Sequence, residues 1–202
     1  EKKTQMALKV LVANRGEIAC RIFKTLRQKN IPCVAIYAAD EKDAPHVFLA
    51  DQAFEIAGER PYLDAEQILD CAKRNNVTAI HPGYGYLSEN ADFADASKQA
   101  GIKFIGPSSG AMTLLGDKAK ARALAESLDI PVVPGAQSCE NAKDAQKRDA
   151  DIGYPLLLKA TAGGGGKGMR LVQAEAELAQ SFSAAQHEAM NAFGSNQILL
   201  EK

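Results

Sequence analysis

No apolar run in this chain approaches the roughly 18–20 residues that a helical membrane span requires, so no membrane partner is expected. Neither sign of charge dominates either: 24 Lys and Arg stand against 25 Asp and Glu. Without a global field to attract a polyanion, nucleic acid is not an expected partner. The four cysteines, Cys20, Cys33, Cys71 and Cys139, are far apart with no C-x-x-C pair. Cys20 and Cys33 sit inside apolar segments, so buried free thiols in a reducing compartment are expected. His46, His81 and His187 are scattered and offer no zinc site. The opening Glu1-Lys2-Lys3-Thr4-Gln5 leads into a strand-like segment and not a signal-peptide core. A cytoplasmic protein is expected, or a mitochondrial matrix protein if the source is eukaryotic.

What is present is ordinary for a globular chain. An apolar share of 46% and a charged share of 24% over 202 residues allow one large or two small domains with a real core. The first half alternates short β-branched runs with helical patterns, which predicts an α/β fold with a doubly wound parallel sheet. Strands are expected at 8–13, 33–37, 53–56, 78–81 and 103–105. Helices are expected at 17–29, 64–75 and 90–100; in the first, Ile18, Ile22 and Leu26 recur on one face. The domain should span 1–107. A mostly helical linker over 108–134 is interrupted near Gly116 and punctuated by Pro131 and Pro134. Beyond it, a small α+β unit over 135–202 is predicted from a helix at 140–150, strands at 155–160 and 169–172, a helix at 175–193 and a strand at 197–200.

The most informative segment is Ala162-Gly163-Gly164-Gly165-Gly166-Lys167-Gly168-Met169. Consecutive glycines can turn backbone amides toward an anion at close range. The segment is no Walker A loop, because Lys167 is followed by Gly168 and not by Ser or Thr. Gly163, Gly165 and Gly168 satisfy G-x-G-x-x-G, but the loop runs from strand to strand, whereas a dinucleotide fingerprint runs from strand to helix. Such a hairpin loop would lie over a nucleotide like a flap. Lys159 closes the apolar strand that enters the loop. A phosphate oxygen would compensate its charge; snorkelling to solvent from the strand end is the other reading. A flexible linker is likewise the alternative for the glycines.

These residues carry a resemblance. Leu158-Lys159-Ala160 with the four-glycine loop, Gly116-Asp117-Lys118 some forty positions earlier, Ala13-Asn14-Arg15-Gly16-Glu17-Ile18-Ala19, and His81-Pro82-Gly83-Tyr84-Gly85-Tyr86-Leu87-Ser88-Glu89-Asn90 resemble the biotin carboxylase branch of the ATP-grasp enzymes. The likeness spans nearly the whole chain. It implies an N-terminal pre-ATP-grasp domain followed by an ATP-grasp lid subdomain, in a chain ending before the C-terminal catalytic domain.

The resemblance implies roles for particular residues. Lys118 and Lys159 would contact ATP phosphates, with Gly164, Gly165 and Gly166 close to them and Met169 lining the nucleotide site. Glu201 and Lys202 match the hinge beside adenine, which contacts the ring through backbone groups. Tyr84 and Gly85 would border the biotin ring, near Arg15 and Gly16 if the strand order reverses between the turns that hold them. The implied reaction uses MgATP to activate bicarbonate as carboxyphosphate and carboxylates biotin on a carrier protein. The Mg2+ ligands and the catalytic residues are expected outside these residues. Implied partners are ATP, bicarbonate, a biotin carboxyl carrier and a carboxyltransferase, with a homodimer as a further possibility. Arg21, Lys24 and Gln28 on the first helix form either a partner face or a solvated one. A carbamoyl-phosphate synthetase-like ligase, and a nucleotide-binding or interaction module without catalysis, remain alternatives. The acyl acceptor of the parent enzyme is left open among acetyl-CoA, propionyl-CoA, pyruvate and urea.

Overall fold

The computed structural model describes residues 7–202 except 163–165 and 167. Among the described residues, no helix is long and apolar enough to cross a membrane. The chain divides into two compact units, 1–112 and 113–202. Residues 113–134 fall in the second unit.

In the first unit the elements run β1 (Val10–Val12), α1 (Gly16–Gln28), β2 (Cys33–Tyr37), α2 (Pro45–Leu49), β3 (Gln52–Glu55), α3 (Ala65–Arg74), β4 (Ala79–His81), α4 (Ala91–Gln99) and β5 (Lys103–Phe104). The strands form one parallel sheet in the order β3-β2-β1-β4-β5. Alternation along the central strand explains why both faces need helices. Val10 and Val12 enter a core with Ala19, Ile22, Phe23 and Leu26 of α1. Leu11 and Ala13 enter another with Ile68, Leu69 and Ala72 of α3 and Phe93 of α4. Side-chain caps start two of the helices: Asp64 accepts from the Gln67 amide and Asn90 from the Phe93 amide. Helix α2 is an addition to the expected elements. Pro45 begins it, at a position where a missing amide proton does no harm. Of the four free cysteines Cys33, Cys71 and Cys139 are buried, whereas Cys20 is only half-buried, which corrects the expectation for that residue.

Helix α5 (Ser109–Gly116) crosses the boundary and is followed by α6 (Lys118–Ser127), β6 (Gly135–Cys139), α7 (Ala142–Ile152), β7 (Leu156–Ala160), β8 (Arg170–Val172), α8 (Glu175–Phe193) and β9 (Ile198–Glu201). The four strands make an antiparallel sheet in the order β6-β9-β7-β8, with β7 and β8 forming the hairpin that carries the glycine loop. One face packs Leu156, Leu158, Val172, Ile198 and Leu200 against Leu178, Phe182, Ala185 and Ala189 of α8. Each fully buried Leu or Phe contributes about 1.5–3 kcal/mol. By alternation, Leu157, Lys159, Leu199 and Glu201 point to the other face. Strand β6 was not expected from the sequence.

Candidate functional site

In the second unit, the break between α5 and α6 is made by Asp117, whose carboxylate caps α6 by accepting from the Ala119 and Lys120 amides. Lys118 is thereby the first residue of α6. Its backbone N–H and its Nζ both approach the Thr161 carbonyl, at 3.4 and 3.5 Å. Thr161 lies two residues beyond Lys159 along the same chain, so both lysines stand at the mouth of the glycine loop. The loop is closed at its base by the Ala160 N–H donating to the Gly168 carbonyl at 3.1 Å. A Cβ on Gly168 would stand 2.9 Å from the Ala160 Cβ, and its φ of +69° also favours glycine. Gly166 has φ +79° with open space where a side chain would be. Gly164 and Gly165 lie outside the described residues.

The Lys159 ammonium is hydrogen-bonded to the Glu201 carboxylate, with both side chains about three-quarters buried, at 26% and 21% exposure. The charge that the sequence left without a partner is therefore met within the sheet. Met169 and Leu171 are exposed at the hairpin edge beside this face. The Lys202 amide donates to the Pro134 carbonyl at 2.8 Å and its Nζ to the Tyr154 carbonyl at 2.9 Å.

In the first unit, β1 and β4 are neighbours although two strands, β2 and β3, lie between them in the chain, so the sheet order reverses between them. Ligands of open α/β sheets favour the crevice at such a point. Asn14, at the end of β1, donates through Nδ2 to the Pro82 and Tyr84 carbonyls, both at 2.7 Å. The His81 Nδ1 accepts from the Gly83 amide at 3.0 Å, and burial, then nearby Arg21, lowers the pKa of its ring. The Tyr84 hydroxyl donates to Glu17, while its ring remains exposed; Gly85 follows at φ +65°.

Beside this turn, a cavity of about 440 Å³ is lined by Arg15, Glu41, Arg60, Tyr62, Leu63 and Tyr86. Arg15 pairs with Glu41, which also accepts from the Tyr62 hydroxyl. Burial alone would push the Glu41 carboxyl up; the hydrogen bonds from Tyr62 and Arg15 outweigh it and hold the group below the usual carboxylate range. Burial, then Glu41, pushes the Tyr62 phenol up. The Tyr62 and Tyr86 rings lie 5.1 Å apart. Asn14, Glu41 and Tyr62 carried no separate signal in the sequence. Glu41 in particular sits in a charged run that reads as solvated surface.

A parallel α/β unit, followed by an antiparallel one whose central strand delivers a lysine into a glycine hairpin, is the arrangement of the ATP-grasp class. Within that class the first half decides. Residues 6–112 match the family "Biotin carboxylase, N-terminal domain", and residues 117–202 match "Carbamoyl-phosphate synthase L chain, ATP binding domain". The chain belongs to the biotin carboxylase family. It is 46% identical over 98% of its length to Pyruvate carboxylase of Bacillus subtilis, spanning 18% of that protein. It is 45% identical over 98% of its length to Biotin carboxylase 1 of the same organism, spanning 45% of it. Among solved structures, the biotin carboxylase domain dimer of Hydrogenobacter thermophilus 2-oxoglutarate carboxylase, in complex with MgADP, ADP and bicarbonate, matches with a TM-score of 0.91 and 46% identity. That match covers 98% of this chain and 44% of that one. A Campylobacter jejuni biotin carboxylase in complex with β,γ-ATP matches with a TM-score of 0.92 and 41% identity, over 96% of this chain and 44% of that one. The chain thus spans less than half the length of these relatives.

Proposed function

We propose that this chain is the ATP-binding portion of a biotin carboxylase, which uses MgATP and bicarbonate, through carboxyphosphate, to carboxylate biotin on a carrier protein. The observation that supports the reading is the joining of α6 to the strand that enters the glycine hairpin: Lys118 contacts the Thr161 carbonyl, and Lys159 stands two residues before Thr161. Two ammonium groups there would neutralise phosphate charge, and positioning with charge neutralisation is the main resource of phosphoryl transfer. Gly164, Gly165 and Gly166 would close over the phosphates and exclude water. Met169 would line the nucleotide. Adenine would meet the hinge of Glu201 and Lys202 through backbone groups other than the Lys202 amide, which Pro134 already engages. Tyr84 and Gly85, at the switch-point crevice, would border the biotin ring.

Magnesium does not fit the described residues on their own: among them no group of three or more His, Cys, Asp or Glu could hold a metal ion. In the proposed reading, its ligands come from the remainder of the full-length protein. A carrier protein and a carboxyltransferase are the proposed partners. A homodimer is the proposed assembly, and a cytoplasmic or mitochondrial matrix location the proposed setting. The match of residues 6–112 favours this reading over a carbamoyl-phosphate synthetase-like ligase.

The test is an ATP titration of the 202-residue chain and of a longer chain that continues it into the rest of the family's sequence, each with and without Lys159→Ala. Weak binding by the shorter chain, tighter binding by the longer one and a loss of about tenfold on substitution in each are expected. The shorter chain should neither hydrolyse ATP nor carboxylate biotin. Equal affinities throughout would reject the phosphate role of Lys159, and turnover by the short chain would reject the division of labour.

A further inference from the structure

The turn after β4 presents Tyr84 to solvent on a backbone that one neighbouring side chain holds in place. We infer that Asn14 is the positioning residue that holds the 81–86 turn in the geometry needed to receive the biotin ring. The inference rests on the reading of Tyr84 and Gly85 as the border of that site.

Asn14 is 2% exposed, and every hydrogen-bonding group of its side chain is engaged. Its two Nδ2 protons go to the Pro82 and Tyr84 carbonyls, and its Oδ1 accepts from the Arg15 amide at 2.9 Å. Pro82 and Tyr84 flank Gly83, so the amide straps the turn on both sides of its tightest residue. Gly83 makes that approach possible. A Cβ there would lie 2.7 Å from Asn14 Nδ2 and 3.0 Å from its Cγ, and the φ of +66° disfavours any other residue. The strap is anchored to the sheet, because Val12 pairs with His81 and the Ala13 amide donates to the His81 carbonyl at 2.9 Å.

Asparagine alone suits these contacts among side chains of its size. Aspartate has no protons to donate and would set its carboxylate against two carbonyl oxygens. Serine offers one donor on a shorter stem. Other contacts of the turn, among them Gly83 to His81, Tyr84 to Glu17, Ser88 to Gly85 and the ring contact of Tyr86 with Tyr62, do not reach the Pro82 and Tyr84 carbonyls. Losing Asn14 therefore frees the backbone beneath Tyr84 while leaving the phosphate-binding groups of the other unit untouched.

The test uses the full-length protein that carries this chain, as wild type, Asn14→Asp, Asn14→Ser and Gly83→Ala. Kinetics are measured with free biotin and with ATP, together with bicarbonate-dependent ATP hydrolysis in the absence of biotin. Asn14→Asp and Gly83→Ala should each lower kcat/KM for biotin by about tenfold or more, Asn14→Ser by less, since small misplacements of a binding group are costly in rate. The KM for ATP and the biotin-independent hydrolysis should stay within about twofold of wild type. Folded variants with unchanged biotin kinetics, or with equal losses for ATP and biotin, would overturn the positioning role. So would a set in which every variant fails to fold, since Asn14 would then serve stability alone. A wild-type protein that binds ATP but carboxylates no biotin would sink the proposed function itself. An active wild type with indifferent variants would sink only this inference.

Discussion

Lys159 and Glu201 meet diagonally across β7 and β9: Lys159 is registered opposite Leu199 and Glu201 opposite Leu157, yet ammonium and carboxylate are hydrogen-bonded. Diagonal neighbours on one sheet face are within reach of long side chains. The pair gives a lysine on a largely covered face a counter-charge of its own, and a phosphate arriving there has to compete with a carboxylate.

That competition sets the sign of one substitution. Glu201→Gln keeps an oxygen acceptor for Lys159 but removes the negative charge that a phosphate at the proposed site would meet. ATP affinity should rise by about three- to tenfold, since charge-assisted contacts are the stronger ones. Calorimetric titration would read it, and a fall in affinity would show that Glu201 aims the ammonium at the phosphates.

A second prediction concerns β6. A Cβ on Gly135 would lie 2.4 Å from the Leu200 carbonyl oxygen and 3.2 Å from the Glu201 Cα. Gly135→Ala should therefore force β6 away from β9 and cost about 1–3 kcal/mol, the usual range for overpacking. Urea denaturation measures it, and an unchanged midpoint would contradict the close approach.

The cap of α6 gives a third. Asp117→Ala removes the acceptor for two amides and should cost about 1 kcal/mol, with Asp117→Asn nearly neutral. Hydrogen exchange at the Ala119 and Lys120 amides, the two that Asp117 accepts from, should accelerate in the alanine variant alone.

The first unit should lose stability in mild acid. Burial lowers the pKa of both His46 and His81 below the ordinary value of 6.5. Below that value the unfolded chain takes up protons that the folded chain resists, so stability rises with pH in the window. It is complete above about 6.5 and is lost as pH falls toward the depressed values. Protonation would also take the Nδ1 lone pair of His81 from the Gly83 amide, and it would charge a ring at His46 that has no exposure. Thermal unfolding followed from about pH 8 to pH 5 should show a falling midpoint; a flat profile would mean that the rings stay solvated.

The sheet of the first unit was legible because short apolar runs, β-branched in β1, β2 and β4, alternate with amphipathic helices, and Ile22 and Leu26 do face the core. The hairpin was legible because two short apolar runs, Leu156-Leu157-Leu158 and Leu171-Val172, stand on either side of the glycine run. Strand β6 was not, since Gly135-Ala136-Gln137-Ser138-Cys139 has no β-branched residue, and its edge position is made by pairing with β9. The lysines were visible from spacing and resemblance together. The partner of Lys159 was not, because Glu201 lies 42 positions away along the chain, and only the antiparallel register brings the two together. Asn14 stood inside a recognised motif, but nothing in a linear string shows that an amide side chain reaches two carbonyls nearly seventy residues on.

The bond between Ala160 and Gly168 ties together the two strand ends from which the glycine run departs and returns. Chain geometry limits each residue to about 3.3–3.6 Å, so the tip of that run can stand no more than about 14 Å from the bond. A small ligand bound at those strand ends would fall inside that radius, while a docking protein would have to present its cargo from outside.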